Sequence, residues 1–223
     1  MSKPSPPKRR STADETIARR PFALDLTLGV FLAALAALAS PWLFGWVTIP
    51  WDAKAHFYPQ LVFLAKSLHA GDSPFWNPHV FAGSPQIADP QSLIFSPFLL
   101  LALATPEPSF AAFDAVVFAM LGLGGVGVIL WFRDRGWGEA GAVVAALAFA
   151  FGGSAAWRVQ HVGQVMSLAW LPLALWALER ALARRSFGWG ALAGVFAAMM
   201  ALGRDQVALL ALWTLAGYVV WRI

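Results

Sequence analysis

The sequence predicts an all-α fold: a polytopic transmembrane helical bundle of about six spans, with a long outer first loop that contains interfacial helices. Two observations predict this class. Of the 223 residues, 59% are hydrophobic and only 13% are charged, whereas a soluble domain has ~25% charged residues. The apolar residues also form several long stretches. Such a chain has too little polar surface to coat a water-soluble body, so its expected partner is a lipid bilayer.

The amino-terminal segments predict a cytoplasmic tail and a first span. Residues 1–21 are polar, basic and rich in proline, which is typical of a disordered tail. Residues 22–47 are long enough to cross a hydrocarbon core of ~30 Å as a helix. This stretch exceeds the apolar region of ~7–15 residues in a cleaved signal peptide, so we expect it to remain as an anchor.

Residues 48–108 form the expected extracytoplasmic loop. Its first part mixes Pro, Asn, Gln and Asp with aromatic residues. Apolar residues recur at helical spacing from Phe57 to Leu68, which predicts a helix over 52–69 that lies along the membrane surface. The apolar run 91–104 is interrupted by Pro97 and is too short to span comfortably, so we expect it to be interfacial or re-entrant.

Five more apolar stretches predict a five-span bundle over residues 109–223. They cover about 109–132, 139–157, 165–183, 187–203 and 206–221. With the amino terminus inside, twelve of the 16 Lys and Arg residues fall on the cytoplasmic side, as the positive-inside rule requires. Counting 91–104 as a span would reverse this distribution. All four histidines then lie on the outer face, where we expect the polar chemistry.

Charge, cysteine and glycine content exclude several function classes. The net charge of +4 follows from the membrane topology, so no nucleic-acid partner is expected. The absence of cysteine excludes disulfides, thiolate zinc sites and thiol nucleophiles. The glycine-rich run 122–128 lies within a span, so it indicates close helix packing rather than nucleotide binding. Asp114 is the single charge expected within a span, which offers little for a transporter.

Asp52 and His56 begin the predicted loop helix and are four residues apart, so both project from one face. A carboxylate and an imidazole on one face can hold a divalent cation, or act as a base with its orienting partner. In the structural alternative, Asp52 caps the helix and His56 is a solvated surface residue. The spacing alone leaves both interpretations open.

Other acidic residues of the outer face also have two interpretations. Asp89 precedes a proline and is held extended near the membrane surface; it either converges with Asp52 on one site or lies far from it. Asp72 is more typical of a turn than of a catalytic group. Arg204 and Asp205 lie in the last outer turn, where they either neutralise each other or belong to a site.

Several motifs resemble the YfhO-like bacterial membrane proteins, which belong with the GT-C glycosyltransferases. After the first span come D-x-x-x-x-x-Y-P from Asp52, G-D-x-P-x-W-N-P at 71–78, G-x-P at 83–85 and F-S-P-F at 95–98. Two later pieces agree, QHVGQVMSLAWLPLALWALERAL and GRDQVALLALWTLAGY. The resemblance covers roughly residues 22–221. Arg204 stands where the family often has the histidine of G-H-P-Q.

The resemblance implies an integral membrane glycosyltransferase that moves a sugar from a polyprenyl-phosphate donor at the extracytoplasmic face. Such enzymes place an acidic residue in the first outer loop as general base or metal ligand, and Asp52 stands at that position, with Asp89 as the second acid. Asp52 and His56 would then hold a divalent cation, Mg²⁺ or Mn²⁺. The remaining candidates for binding phosphate or sugar are His56, His161, Arg204 and Gln206. The implied location is the bacterial inner membrane, with the amino terminus cytoplasmic.

Proteins of this kind are usually much longer, so we expect the chain to be the amino-terminal part of a larger enzyme. Its partner would be the missing carboxy-terminal half or another protein. The alternative is a non-catalytic membrane protein that binds a lipid-linked glycan or assists a partner in envelope assembly. In that case Asp52 and Asp89 are purely structural.

Overall fold

The structure is a computed structural model that describes residues 26–89, 91–203 and 205–222. The predicted tail at 1–21 and Arg204 lie outside the described residues. The described chain is mostly helical, as the sequence predicts. In order, its elements are α1 (Leu26–Leu43), a π-helix (Ala53–Phe57), α2 (Tyr58–Ala70), strands β1 (Trp76–Asn77) and β2 (Ser84–Pro85), a 3-10 helix (Gln86–Ala88), α3 (Phe98–Ala104), α4 (Phe110–Asp134), α5 (Glu139–Phe151), α6 (Gly153–Arg158), α7 (Val162–Arg184), α8 (Phe187–Ala201) and α9 (Gln206–Arg222).

Four helical stretches are long and apolar enough to cross a membrane: α1, α4, α5 with α6, and α7. This composition and length are those of a multi-pass membrane protein. The apolar helices α8 and α9 have only 15 and 17 residues. The first helix ends at Leu43 rather than at 47, because Gly45 adopts a left-handed conformation and the amide of Trp46 turns back to the carbonyl of Pro41.

The helices α4 and α7 form the centre of the bundle. α1 and α5 pack against α4, whereas α8 and α9 pack against α7. The glycines of α4 allow α1 and α7 to pack closely against it. A Cβ atom on Gly125 would collide with Phe31 of α1, and one on Gly127 would lie 2.8 Å from the backbone nitrogen of Leu173 in α7. The run 122–128 is therefore a helix-packing surface, which confirms that prediction.

The first loop folds back on the bundle. The helix predicted over 52–69 is present, as the π-helix followed directly by α2. Its buried face includes Phe57, Leu61 and Leu64, and α2 packs against α3. α3 has seven residues, a rise of ~10 Å, which is far too short for a span. This agrees with the expectation that the run 91–104 does not cross the membrane.

The bundle has two polar ends. Tyr58 Oη donates to the carbonyl of Pro108 at 2.9 Å, and the amide of Ile49 donates to Oδ2 of the buried Asp114 at 3.2 Å. The first loop therefore lies at the amino-terminal end of α4, which we call the loop end. The opposite end, where α4, α7 and α9 finish, is called the arginine end; its arginines include Arg135, Arg180, Arg184 and Arg222. The 25 residues of α4 separate the two ends by ~37 Å.

Candidate functional site

The side chains of Asp52 and His161 meet at the loop end. Oδ2 of Asp52 lies 3.0 Å from Nδ1 of His161. Asp52 immediately precedes the π-helix, and His161 immediately precedes α7. The two side chains remain 57% and 37% exposed, so a ligand can reach both while they touch. The sequence named both residues as candidates but did not predict their contact.

His56 has a partner other than Asp52. Its Nε2 lies 2.9 Å from the side-chain amide nitrogen of Gln60, one turn further along the helix, so the amide donates to the ring. Gln60 is buried, whereas His56 is exposed. Within the described ranges no three His, Cys, Asp or Glu side chains are grouped so that they could hold a metal ion. A cation held by Asp52 and His56 therefore stays a prediction.

Asp205 joins the turn between α8 and α9 to α7. Its Oδ1 accepts from the amide of Ala208 at 2.8 Å, which caps α9. Ser167 Oγ of α7 donates to its Oδ2 at 3.2 Å. Gly203 lies so close to Ser167 that a Cβ atom at this position would collide with the hydroxyl. Gln206, the first residue of α9, is exposed beside this turn.

Asp89 lies against a later part of α7. Its Oδ1 accepts from the amide of Gln91 at 2.8 Å, which closes an Asx turn. Asp89 also lines a cleft of about 30 Å³ together with Met166 and Trp170 of α7 and Gly203. A space of this size suits water rather than a sugar ring. Asp52 and Asp89 thus lie near the same helix, Asp52 at its start and Asp89 about one and a half to two and a half turns further along.

Asp52, Asp89 and Asp205 therefore all lie near the first turns of α7. Backbone amides at the start of a helix carry partial positive charge, which favours nearby carboxylates such as that of Asp52. The Nδ1–H of His161 donates to Asp52 and orients it, while the second carboxylate oxygen can still accept a proton. The arrangement is suited to proton abstraction from a hydroxyl group at an exposed position.

A second polar cluster, which the sequence did not predict, lies at the arginine end. Arg180 donates from Nε and Nη2 to both oxygens of Asp134, and Trp176 Nε1 donates to Asp134 at 2.9 Å. Arg135 contacts Glu179 and donates to Tyr218 Oη at 2.8 Å. The spacing of four residues between Trp176 and Arg180 was the available signal.

The expectation that Asp114 is the single charge within a span was therefore wrong. Asp134, Glu179 and Arg180 are also buried. Asp134 lies just beyond the predicted stretch 109–132, and Glu179 and Arg180 lie near the end of the stretch 165–183. The packing of α4 against α7 buries them.

No protein-family model matches the chain, and no match to it is found among curated proteins or solved structures. At the loop end, the exposed Asp52–His161 pair is the contact suited to proton transfer.

Proposed function

We propose that the chain is an integral membrane glycosyltransferase of the GT-C type, or its amino-terminal part. It would transfer a sugar from a polyprenyl-phosphate donor at the extracytoplasmic face. The observation that carries the proposal is the contact between the exposed carboxylate of Asp52 and His161. The motif resemblance implies a base at Asp52, and the contact supports this role because His161 can orient the carboxylate.

In the proposed reaction, Asp52 accepts the proton of the acceptor hydroxyl. The hydroxyl oxygen forms a bond to the anomeric carbon, the bond from this carbon to the phosphate oxygen breaks, and polyprenyl phosphate leaves. His161 keeps the carboxylate oriented through Nδ1. Arg204 and Gln206 are the proposed contacts of the leaving phosphate, because a cation or amide donor offsets its charge. Asp89 stays the proposed second acid. Mg²⁺ or Mn²⁺ stays a prediction, and no step is assigned to it.

The proposed membrane placement has six spans, with α8 and α9 crossing beside α7. Both helices pack against α7, which supports this count. The loop end would face outward and the arginine end the cytoplasm, since basic residues collect on the cytoplasmic side. The membrane would be the bacterial inner membrane, with the amino terminus inside.

Substitution of Asp52 tests the proposal. We expect Asp52→Asn to lower sugar transfer from polyprenyl-phosphate donors by about 10²–10⁴-fold, the usual contribution of a general base. The assay uses membranes with matched protein levels. Glu107→Gln is the control, because Glu107 is another exposed acid of the first loop with no contact to His161 in the described chain. Full transfer by Asp52→Asn would remove Asp52 from the mechanism.

A non-catalytic function is the second candidate, and one observation favours it. The Asp52–His161 pair connects the first loop to α7, so it can serve as a structural contact in a protein that binds lipid-linked glycan or assists a partner. In that case Asp52→Asn leaves the glycan products of the cell unchanged, whereas deletion of the whole chain alters them.

A further inference from the structure

A groove of about 700 Å³ lies between α2 and the β1–β2 hairpin, apart from the Asp52–His161 pair. Its volume falls within the range of ~300–1,000 Å³ that is usual for small-molecule sites. One wall is the face of α2 that carries Pro59, Val62, Phe63 and Lys66. This face differs from the one that α2 buries with Leu61 and Leu64. The helix therefore packs on the bundle with one side and lines the groove with the other.

The opposite wall presents an exposed indole among polar groups. Trp76 is 54% exposed although it belongs to β1, where it pairs with Pro85 of β2. The lining next to it includes Asp72, Ser73 and His79. Among the described residues, the Asp72 side chain has no hydrogen-bond or ion-pair partner. The wall thus combines the flat apolar indole of Trp76 with a carboxylate, a hydroxyl and an imidazole, from Asp72, Ser73 and His79.

This wall is held in place by the hairpin. The indole of Trp76 lies against Gly83, whose φ of +118° suits glycine, and a Cβ atom there would overlap the ring. Asn77 is buried, and its Oδ1 accepts from the amide of His79 at 2.9 Å. The ring of His79 in turn contacts that of Phe63 across the groove, with centroids 6.3 Å apart. The positions of the indole and the imidazole are therefore set before any ligand binds.

We propose that this groove binds a saccharide, the acceptor of the proposed transfer. A pyranose ring has one face of C–H groups, which packs on an indole, and an edge of hydroxyl groups, which bond to carboxylate, imidazole and hydroxyl side chains. The ionic groups disfavour an anionic ligand, because Lys66 lies 3.8 Å from Glu107 and Asp72 adds a negative charge. Pro59 on the groove wall is seven residues after Asp52, or ~10 Å along the helix, which is within the length of an oligosaccharide. The acceptor role rests on the proposed function, whereas saccharide binding does not.

Binding is measured on the full chain in lipid nanodiscs, purified in a detergent without a sugar head group. The probes are maltotriose, mannotriose and the trimer of N-acetylglucosamine, detected by saturation-transfer NMR. We expect at least one to bind, and Trp76→Ala to raise its Kd by about tenfold or more. Phe81→Ala is the matched control, because Phe81 is 93% exposed on the same loop and does not line the groove. This variant should bind as the unchanged chain does.

A further variant separates binding from folding. Asp72→Asn removes the exposed charge without touching the hairpin and should also weaken binding. The proposal is wrong if none of the three probes binds, which is the result expected when a bilayer lipid occupies the groove. It is also wrong if Trp76→Ala binds a probe as tightly as the unchanged chain does. A third outcome combines saccharide binding that depends on Trp76 with sugar transfer that is unaffected by Asp52→Asn. This outcome would support the saccharide site and refute the proposed transferase mechanism.

Discussion

Arg180 donates hydrogen bonds to both carboxylate oxygens of Asp134, at 2.6 and 2.8 Å, and both side chains are buried. The rings of Trp176 and Trp189 lie 4.9 and 5.0 Å from the guanidinium carbon. An arginine keeps its charge even when enclosed, so the carboxylate of Asp134 is needed to balance it. This pair therefore fastens α4 to α7 at the arginine end.

The first prediction concerns this pair. We expect Asp134→Ala to lower the free energy of unfolding by about 3–5 kcal/mol, because the buried charge of Arg180 loses its hydrogen bonds to both oxygens of Asp134. The measurement is the unfolding transition of the purified protein in a fixed lipid–detergent mixture. Glu107→Gln is the control. It removes the exposed pair with Lys66, whose side chains are 59% and 79% exposed, and such pairs contribute ~0–1 kcal/mol. Equal losses in both variants would contradict the prediction.

The helices could be predicted from the sequence, but their polar contacts could not. Apolar stretches and helical spacing locate α1, α4 and α7 to within a few residues, because these signals are local. Asp134 lies just beyond one predicted stretch and Arg180 near the end of another, where charge usually marks the end of a span. Their burial depends on the distance between α4 and α7 in space, which no local pattern encodes.

The second prediction tests the close approach of α4 and α7. A Cβ atom on Gly127 would lie 2.8 Å from the backbone nitrogen of Leu173, and backbone cannot move aside as a flexible side chain can. We expect Gly127→Ala to destabilise the protein by about 1–3 kcal/mol, the usual cost of overpacking. Gly217→Ala in α9 is the control, because nothing lies within 4 Å of its Cβ position. The control should be neutral or stabilising, since alanine favours a helix by ~1 kcal/mol over glycine. A Gly127→Ala protein as stable as the control would show that the helices can separate without cost.

The third prediction concerns the cap of α9. Asp205→Ala removes the acceptor of the Ala208 amide and the contact with Ser167, so we expect a loss of ~1 kcal/mol in the free energy of unfolding. Asp205→Asn keeps a capping oxygen, so its free energy of unfolding should fall by only a few tenths of ~1 kcal/mol. The same unfolding assay compares the two. If the asparagine variant is as unstable as the alanine variant, the charge of Asp205 matters more than its capping oxygen.

The candidate site was predictable only in part. The motif from Asp52 and the pattern of the outer loop indicated which side chains to consider. The contact of Asp52 with His161 joins the first loop to the start of α7, and it depends on how that loop folds over the bundle. The spacing of Asp52 and His56 indicated a different pair, because a spacing rule compares residues on one helix only. The partner of His56 is Gln60, which is also one turn away. The spacing rule therefore gave the right distance along the helix but not the right residue.

The fourth prediction tests which end of the bundle faces outward. The chain has no cysteine, so a single introduced thiol reports its own side of the membrane. Phe81 in the first loop and Phe187 at the start of α8 are both 93% exposed, and they lie at the loop end and the arginine end. In spheroplasts, a membrane-impermeant maleimide should label Phe81→Cys and should label Phe187→Cys only after permeabilisation. Labelling of both variants after permeabilisation is the control for reactivity. The reverse pattern would put the Asp52–His161 pair in the cytoplasm and exclude transfer at the extracytoplasmic face, because the proposed base would then lie on the wrong side of the membrane from its acceptor.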